Sequence, residues 1–219
     1  MKYGFIFLLL ALAISVAAAR GGPWGWLLIY PAFSFGVVSA AYLFSAPGVF
    51  GKRFDGGRSR LGTLLLLPYV LYLAAVWHVV RLLSREPKLN LLGDDLVLSR
   101  RLLGHELPEN ISSVVDLTCE FTEPNDHWKI QSYTCYPMLD GTAATAGALR
   151  ELAVKINDMP KPVLIHCAQG HGRTGLVAAA VLLVSERAQT ASDAIAMVQS
   201  ARPGVELNGE QWSVLEELQ

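Results

Sequence analysis

Long stretches without a charge open the chain. Residues 3 to 19, 21 to 51 and 61 to 80 contain no Asp, Glu, Lys or Arg, and each approaches or exceeds the roughly 20 apolar residues that cross a bilayer. The pattern predicts three membrane-spanning helices at 3–19, 25–50 and 61–81. The third is the clearest, because Leu64, Leu65, Leu66, Leu67, Val70, Leu71, Leu73 and Val76 leave no polar face to turn toward water. Pro68 is expected to kink it. The second opens on Gly22, Pro23, Trp24, Gly25 and Trp26, with Tyr30 close behind, which suits an aromatic anchor at a membrane surface. The first fits two readings. Lys2, the apolar stretch and Ala17, Ala18 and Ala19 serve equally as a retained anchor or as a secretory signal peptide with its cleavage site. For all three runs a buried helical core is the rival, since both settings make a helix hydrophobic all round.

The rhythm changes after residue 88. Short apolar runs at 96–98, 113–117 and 130–136 read as strands. From 145 to 156, Leu149, Leu152, Ala153 and Ile156 recur at helical spacing, and Asp158, Pro160 and Pro162 end that helix. Val163, Leu164 and Ile165 form a buried-strand signal, followed by a glycine-punctuated loop at 166–172. Helices are predicted at 174–185, 192–201 and 209–218. Strands alternating with helices predict an α/β domain over residues 89–219, behind a membrane region over residues 1–88.

Charge sharpens that division. The chain has 18 basic and 19 acidic side chains, but residues 1–88 carry nine of the basic ones and only two acids, for a net of +7. Residues 89–219 hold the other nine and seventeen acids, for a net of −8. A hydrophobic fraction of 52% with 17% charged residues excludes a disordered chain and is too apolar for an ordinary soluble domain. Three cysteines, Cys119, Cys135 and Cys167, form neither a framework of paired bridges nor a CxxC metal site. The acidic second half argues against nucleic acid as a partner.

Candidate chemistry lies where the strand at 163–165 enters the loop. His166, Cys167, Ala168, Gln169, Gly170, His171, Gly172, Arg173 and Thr174 read as a strand delivering one cysteine into a tight turn that opens a helix. Backbone N–H groups at such a helix start converge on one centre, and the helix dipole adds positive potential, so the geometry makes an anion site. The same field favours the thiolate form of Cys167. Arg173 can grip two phosphate oxygens with its planar fork. Thr174 is expected to donate a hydroxyl hydrogen bond toward the sulfur, and His166 to order the loop through its ring nitrogens. In a chain of this composition, Cys followed six later by Arg arises by chance about once in six cases. Requiring His before and Ser or Thr after lowers this below about one in a thousand. Against this stand an inert buried cysteine and a zinc site built from His166, Cys167 and His171, which lacks a second ligand pair at metal spacing.

The HCx5R(S/T) pattern at His166, Cys167, Arg173 and Thr174 resembles the signature of the cysteine-based protein tyrosine phosphatases, and the short domain looks like their dual-specificity branch. The resemblance covers residues 90–219 and says nothing of residues 1–88. It implies a central sheet flanked by helices, no cofactor and no metal, and a cysteinyl-phosphate intermediate. It also implies that the amides of residues 166–172 and Arg173 hold the phosphoryl group. An Asp on a separate loop would protonate the leaving oxygen. Asp140, just after a predicted strand, best fits that acid, with Asp116 and Asp126 as alternatives. Downstream, Arg202, Pro203, Asn208 and Gln211 resemble the family's closing segment, in which Gln211 is either a water-positioning residue or an exposed helix glutamine.

Two substrate classes survive, phosphorylated protein on tyrosine or on serine and threonine, and a phosphorylated lipid headgroup of phosphatidylglycerophosphate or phosphoinositide type. Commonness in the family favours the first, and the apolar spans favour the second. Among the variable loop positions only His171 can become cationic, which disfavours a highly phosphorylated inositol. An inactive phosphate-binding membrane scaffold is a third reading, which loss of Cys or Arg from the loop would mark. The chain is thus expected to be a multi-pass integral membrane protein. Basic residues flank the third span on both sides, Lys52 to Arg60 before it and Arg81 to Arg101 after it, so charge alone does not orient it. The need of a catalytic thiolate for a reducing compartment leans the domain toward the cytoplasm.

Overall fold

In the computed structural model, which describes residues 2–123 and 130–219, the chain divides into two compact units. One comprises residues 1–53 and 58–85, the other residues 54–57 and 86–219.

The first unit is helical. Helices α1 (Lys2–Arg20), α2 (Ile29–Leu43) and α3 (Arg60–Leu83) are joined by 3₁₀ turns at Gly22–Leu28 and Pro47–Phe50. The stretches Lys2–Arg20, Gly22–Leu43 and Arg60–Leu83 are each long and apolar enough to cross a membrane. The second predicted span therefore stops at Leu43, seven residues early, where Ser45 takes a positive φ of 51° and Pro47 starts a new turn. Pro68 lies inside α3, which stays one continuous helix. The unit has its own small core: Phe7 packs edge-on against Tyr69, with ring centroids 5.5 Å apart, and Tyr69 packs against Phe35 and Phe50. Ser39 Oγ donates to Gly4 O at 2.8 Å, so a polar group inside this unit finds its partner within it. Leu9, Leu61, Leu64 and Leu71 stay exposed.

The second unit is an α/β domain. Its sheet has the order β1-β2-β5-β3-β4, with β1 (Leu89–Leu92) antiparallel at one edge and β2 (Leu96–Arg100), β5 (Val163–Cys167), β3 (Ser113–Thr118) and β4 (Ser132–Met138) parallel. The central strands are buried along their whole length, which explains why they read as continuous apolar runs rather than alternating ones. Strand β4 starts two residues later than its pattern predicts and runs on to Met138, so that Leu139 and Asp140 follow at its C-terminal end. Strand β1 is too short and too exposed to leave a sequence signal.

Helices α4 (Ala146–Asp158), α5 (Gly172–Val184), α6 (Ala191–Ala201) and α7 (Gly209–Glu216) complete the domain. Residues 173–182 of α5 are all buried, and Leu176, Val177 and Val181 join Leu149, Leu152 and Ile156 of α4 and Ile195 and Val198 of α6 in the main core. Side chains cap the starts of the neighbours: Thr145 accepts from Ala148 N, Thr190 from Asp193 N and Asn208 from Gln211 N. Helix α5 has no side-chain cap at its N-cap residue, His171. Its first amides are thereby kept for something else.

Candidate active site

The loop 166–172 lies between β5 and α5, at the C-terminal end of the central strand. In such sheets that end is where ligands bind. Cys167 is only 3% exposed, and its Sγ accepts a hydrogen bond from Gly170 N at 3.2 Å. Gly170 takes a φ of +76°, and a Cβ there would sit 2.5 Å from Ser99 O and 2.7 Å from Arg100 N. Only glycine lets the loop turn this tightly against β2.

Arg173 is the largest fully buried side chain of the chain's described residues, at 1% exposure. Its Nη1 donates to Glu120 Oε2 at 3.0 Å and to Met138 O at 2.9 Å, and its Nη2 to Glu120 Oε1 at 2.6 Å. A carboxylate oxygen of Asp140 lies 3.2 Å from Nη2. Nε, also buried, has no hydrogen-bond partner among the described residues. Burial opposes the charge on Arg173, yet Glu120 first, then Asp140 and Cys167, push its pKa well above the usual arginine value. Burial likewise opposes ionisation of Glu120, but the Arg173 charge and hydrogen bonds hold that carboxyl below the usual glutamate range. The pair is therefore charged on both sides and fixed. Beside it, burial and the Glu120 carboxylate push the Cys119 thiol well up, so this cysteine stays protonated and donates to Glu120 Oε2 at 3.5 Å.

Asp140 stands at the end of β4 with its side chain half exposed, opposite Arg173. The turn that carries it is tied to the start of α7, where Asn208 Nδ2 donates to Gly141 O at 2.8 Å and Gln211 Nε2 to Thr142 O at 3.1 Å. Gln211 is 1% exposed, not an exposed helix glutamine, because it closes a capping box with Asn208 and faces the loop: a Cβ on Gly172 would lie 3.2 Å from Gln211 Oε1.

Other expected partners differ. Thr174 Oγ1 is buried with no hydrogen-bond partner among the described residues, so the sulfur takes its hydrogen bond from Gly170 N instead. Neither ring nitrogen of His166 is hydrogen-bonded, although Nε2 is 3.9 Å from Asp116 Oδ1. Successive strand residues face opposite ways, which puts His166 and Asp116 on the face away from Cys167. Asp116 accepts from Thr118 Oγ1 at 2.7 Å and from Tyr133 OH at 2.8 Å, whereas Asp140 is the aspartate that lies beside Arg173. Asp126 lies outside the described residues. His166, Asp116 and Glu123 bring one ligand atom each within 4.8 Å of one another, a set of buried donors of the kind a metal ion uses. Glu123 is already ion-paired with Arg101 at 2.9 Å, so the set also works as a buried polar cluster without an ion. Glu120 escaped the sequence reading. Its only local mark is an acid set between Cys119 and Phe121 just after β3.

A mixed sheet whose central parallel strand delivers a cysteine into a tight loop at the uncapped start of a buried helix, with an arginine six residues on facing the same centre, defines the cysteine-based phosphatases. Within that class the chain belongs to the dual specificity phosphatase family: the description "Dual specificity phosphatase, catalytic domain" matches residues 106–219. The solved structure of Tk-PTP in its active form is 30% identical, covers 60% of this chain and 96% of its own, and superposes with a TM-score of 0.53. A variant of human DUSP28 is 20% identical, with 61% and 94% covered and a TM-score of 0.52. PTPMT1 in complex with PI(5)P is 18% identical, with 60% and 94% covered and a TM-score of 0.51, and these last two share the fold. No curated protein matches the chain.

Proposed function

We propose that the chain is a membrane-anchored phosphomonoesterase that works through a cysteinyl-phosphate intermediate and acts on phosphorylated protein, on tyrosine or on serine and threonine. The observation that carries this reading is the Cys167 thiol, hydrogen-bonded to a loop amide and facing an arginine that Glu120 already holds in place. As the thiolate, Cys167 attacks phosphorus, forming an S–P bond as the P–O ester bond breaks. The loop amides and Arg173 Nε bind the phosphoryl oxygens, where negative charge is greatest as the bonds exchange. Asp140 gives its proton to the leaving oxygen. Its carboxylate then takes a proton from the water that attacks phosphorus, releasing phosphate and the thiolate. The buried amide of Gln211 beside Gly172 suits a water-positioning role.

The loop itself supports a substrate with a single phosphate. Of its variable residues only His171 can carry charge, and its Nε2 lies 2.7 Å from Glu86 Oε2, which offsets that charge. A lipid headgroup with one phosphate is the second reading, supported by the three apolar helices and by the fold shared with PTPMT1, whose solved complex holds PI(5)P. The intact Cys167 and Arg173 speak against a silent scaffold. Three free cysteines, all buried, suit a reducing compartment, and we assign the domain to the cytoplasmic side. Comparing phosphopeptides with singly phosphorylated lipids in mixed micelles, using the full-length protein, tests the substrate: a kcat/KM higher on phosphopeptides supports the first reading, and one higher on lipid overturns it.

A further inference from the structure

Arg202, at the end of α6, is 2% exposed and reaches the 166–172 loop from behind. Its Nε donates to Gly170 O at 2.7 Å and its Nη2 to Gln169 O at 3.0 Å. In a trans peptide the C=O and the following N–H point in opposite directions. Fixing these two carbonyls behind the loop turns the N–H groups of Gly170 and His171 toward its front. The 3.2 Å contact from Gly170 N to Cys167 Sγ agrees with that orientation. One side chain thus sets two of the amides that would bind a phosphoryl group.

The remaining edge of the guanidinium is held by the segment that follows α3. Arg202 Nη1 donates to Asn90 Oδ1 at 2.7 Å and to Pro87 O at 3.2 Å. Glu86 Oε2 lies 3.7 Å from Nη2 and 2.7 Å from His171 Nε2, so one carboxylate meets both the brace and the loop. Glu86 is the third residue after Leu83, where α3 ends. Every contact falls within the second unit.

We propose that Arg202 is a positioning residue that aims the loop amides, and that Glu86 steadies it and His171, which makes the segment after the third apolar helix a working part of the phosphate site. The proposal rests on the reading of that loop as the phosphate site. Lys at 202 keeps the charge but lacks the flat fork that reaches both carbonyls at once. A role confined to folding would alter stability alone.

The test uses full-length protein in detergent micelles, with orthovanadate as the phosphate mimic and p-nitrophenyl phosphate as the substrate. Wild type, Arg202→Lys, Glu86→Ala and Glu86→Gln are compared for vanadate inhibition, kcat, KM, iodoacetamide alkylation of Cys167 about one pH unit below neutral, and melting temperature. Two misdirected amides are expected to weaken vanadate binding about tenfold in Arg202→Lys and to slow alkylation in step. Glu86→Ala is expected to weaken it about threefold, and Glu86→Gln, which keeps an acceptor for His171 Nε2, to recover most of that loss. Glu86 has a part-exposed side chain, so its variants report even where Arg202→Lys fails to fold. Folded variants with wild-type vanadate affinity and alkylation overturn the proposal. Wild-type protein that neither hydrolyses the substrate nor binds vanadate overturns instead the reading on which it rests.

Discussion

Arg173 and Glu120 form a buried, two-pronged ion pair, Nη2 to Oε1 at 2.6 Å and Nη1 to Oε2 at 3.0 Å, with the Cys119 thiol donating to the same carboxylate. The pair fixes which edge of the guanidinium faces the loop. A buried charge that loses its partner is costly, so Glu120 and Arg173 act as one unit.

Replacing Glu120 by Gln should therefore cost about 3–5 kcal/mol of stability and lower kcat about 100-fold through misplacement of Arg173. The carboxyl sits below its unfolded value in the folded protein. Its contribution is complete above the unfolded glutamate pKa, about 4.3, and is lost as the pH falls through the lower folded value. Denaturant melts across acid pH should show wild type and Glu120→Gln converging below that range.

Asp140→Ala should slow an alkyl phosphate about 100-fold more than an activated aryl phosphate, because only the poor leaving group needs the proton. Equal losses on both substrates would remove Asp140 as the acid. The measurement is kcat/KM on a pair of substrates differing in leaving-group pKa.

Gly170→Ala meets two obstacles, a φ of +76° and a Cβ within 2.5 Å of the Ser99 carbonyl. The neighbour is backbone, which cannot swing away. Loss of vanadate binding and of Cys167 alkylation, in protein whose helical circular dichroism persists, is the expected result.

If α3 crosses the bilayer, tags at residues 55 and 219 report from opposite sides, with residue 219 in the cytoplasm. Protease protection in oriented vesicles reads this directly. Tags on one side would contradict a crossing by α3 and would accord with the hydrogen bond from Glu123 N to Gly56 O at 2.9 Å inside the second unit. Cleavage after Ala19 would be visible in the same samples as a shortened chain.

Much of the fold is legible in the sequence. The strands at β2, β3 and β5 are buried on both faces, and so their apolar runs stand out; α5 is apolar throughout because the domain packs around it. Cys167 and Arg173 announce themselves through local spacing, and Asp140 enters only through the resemblance, which points to the turn after β4. Glu120 and Arg202 do not. Glu120 meets Arg173 across 53 positions and Arg202 meets Gly170 across 32, and such pairings depend on how strands and helices stack rather than on any local pattern. The sequence leaves Gln211 open between burial and exposure for a related reason, since its burial follows from the fit of α7 against Gly172. The half-exposed β1 carries too few residues for a period to show.

The central claim is a phosphoryl group carried on Cys167. Rapid acid quenching of full-length protein during turnover of an aryl phosphate, followed by mass spectrometry of the peptide containing Cys167, tests it most directly. The account predicts one added phosphoryl group on that peptide in wild type, more of it where water attack is slowed by Asp140→Ala, and neither adduct nor turnover in Cys167→Ser. Turnover retained by Cys167→Ser would contradict it.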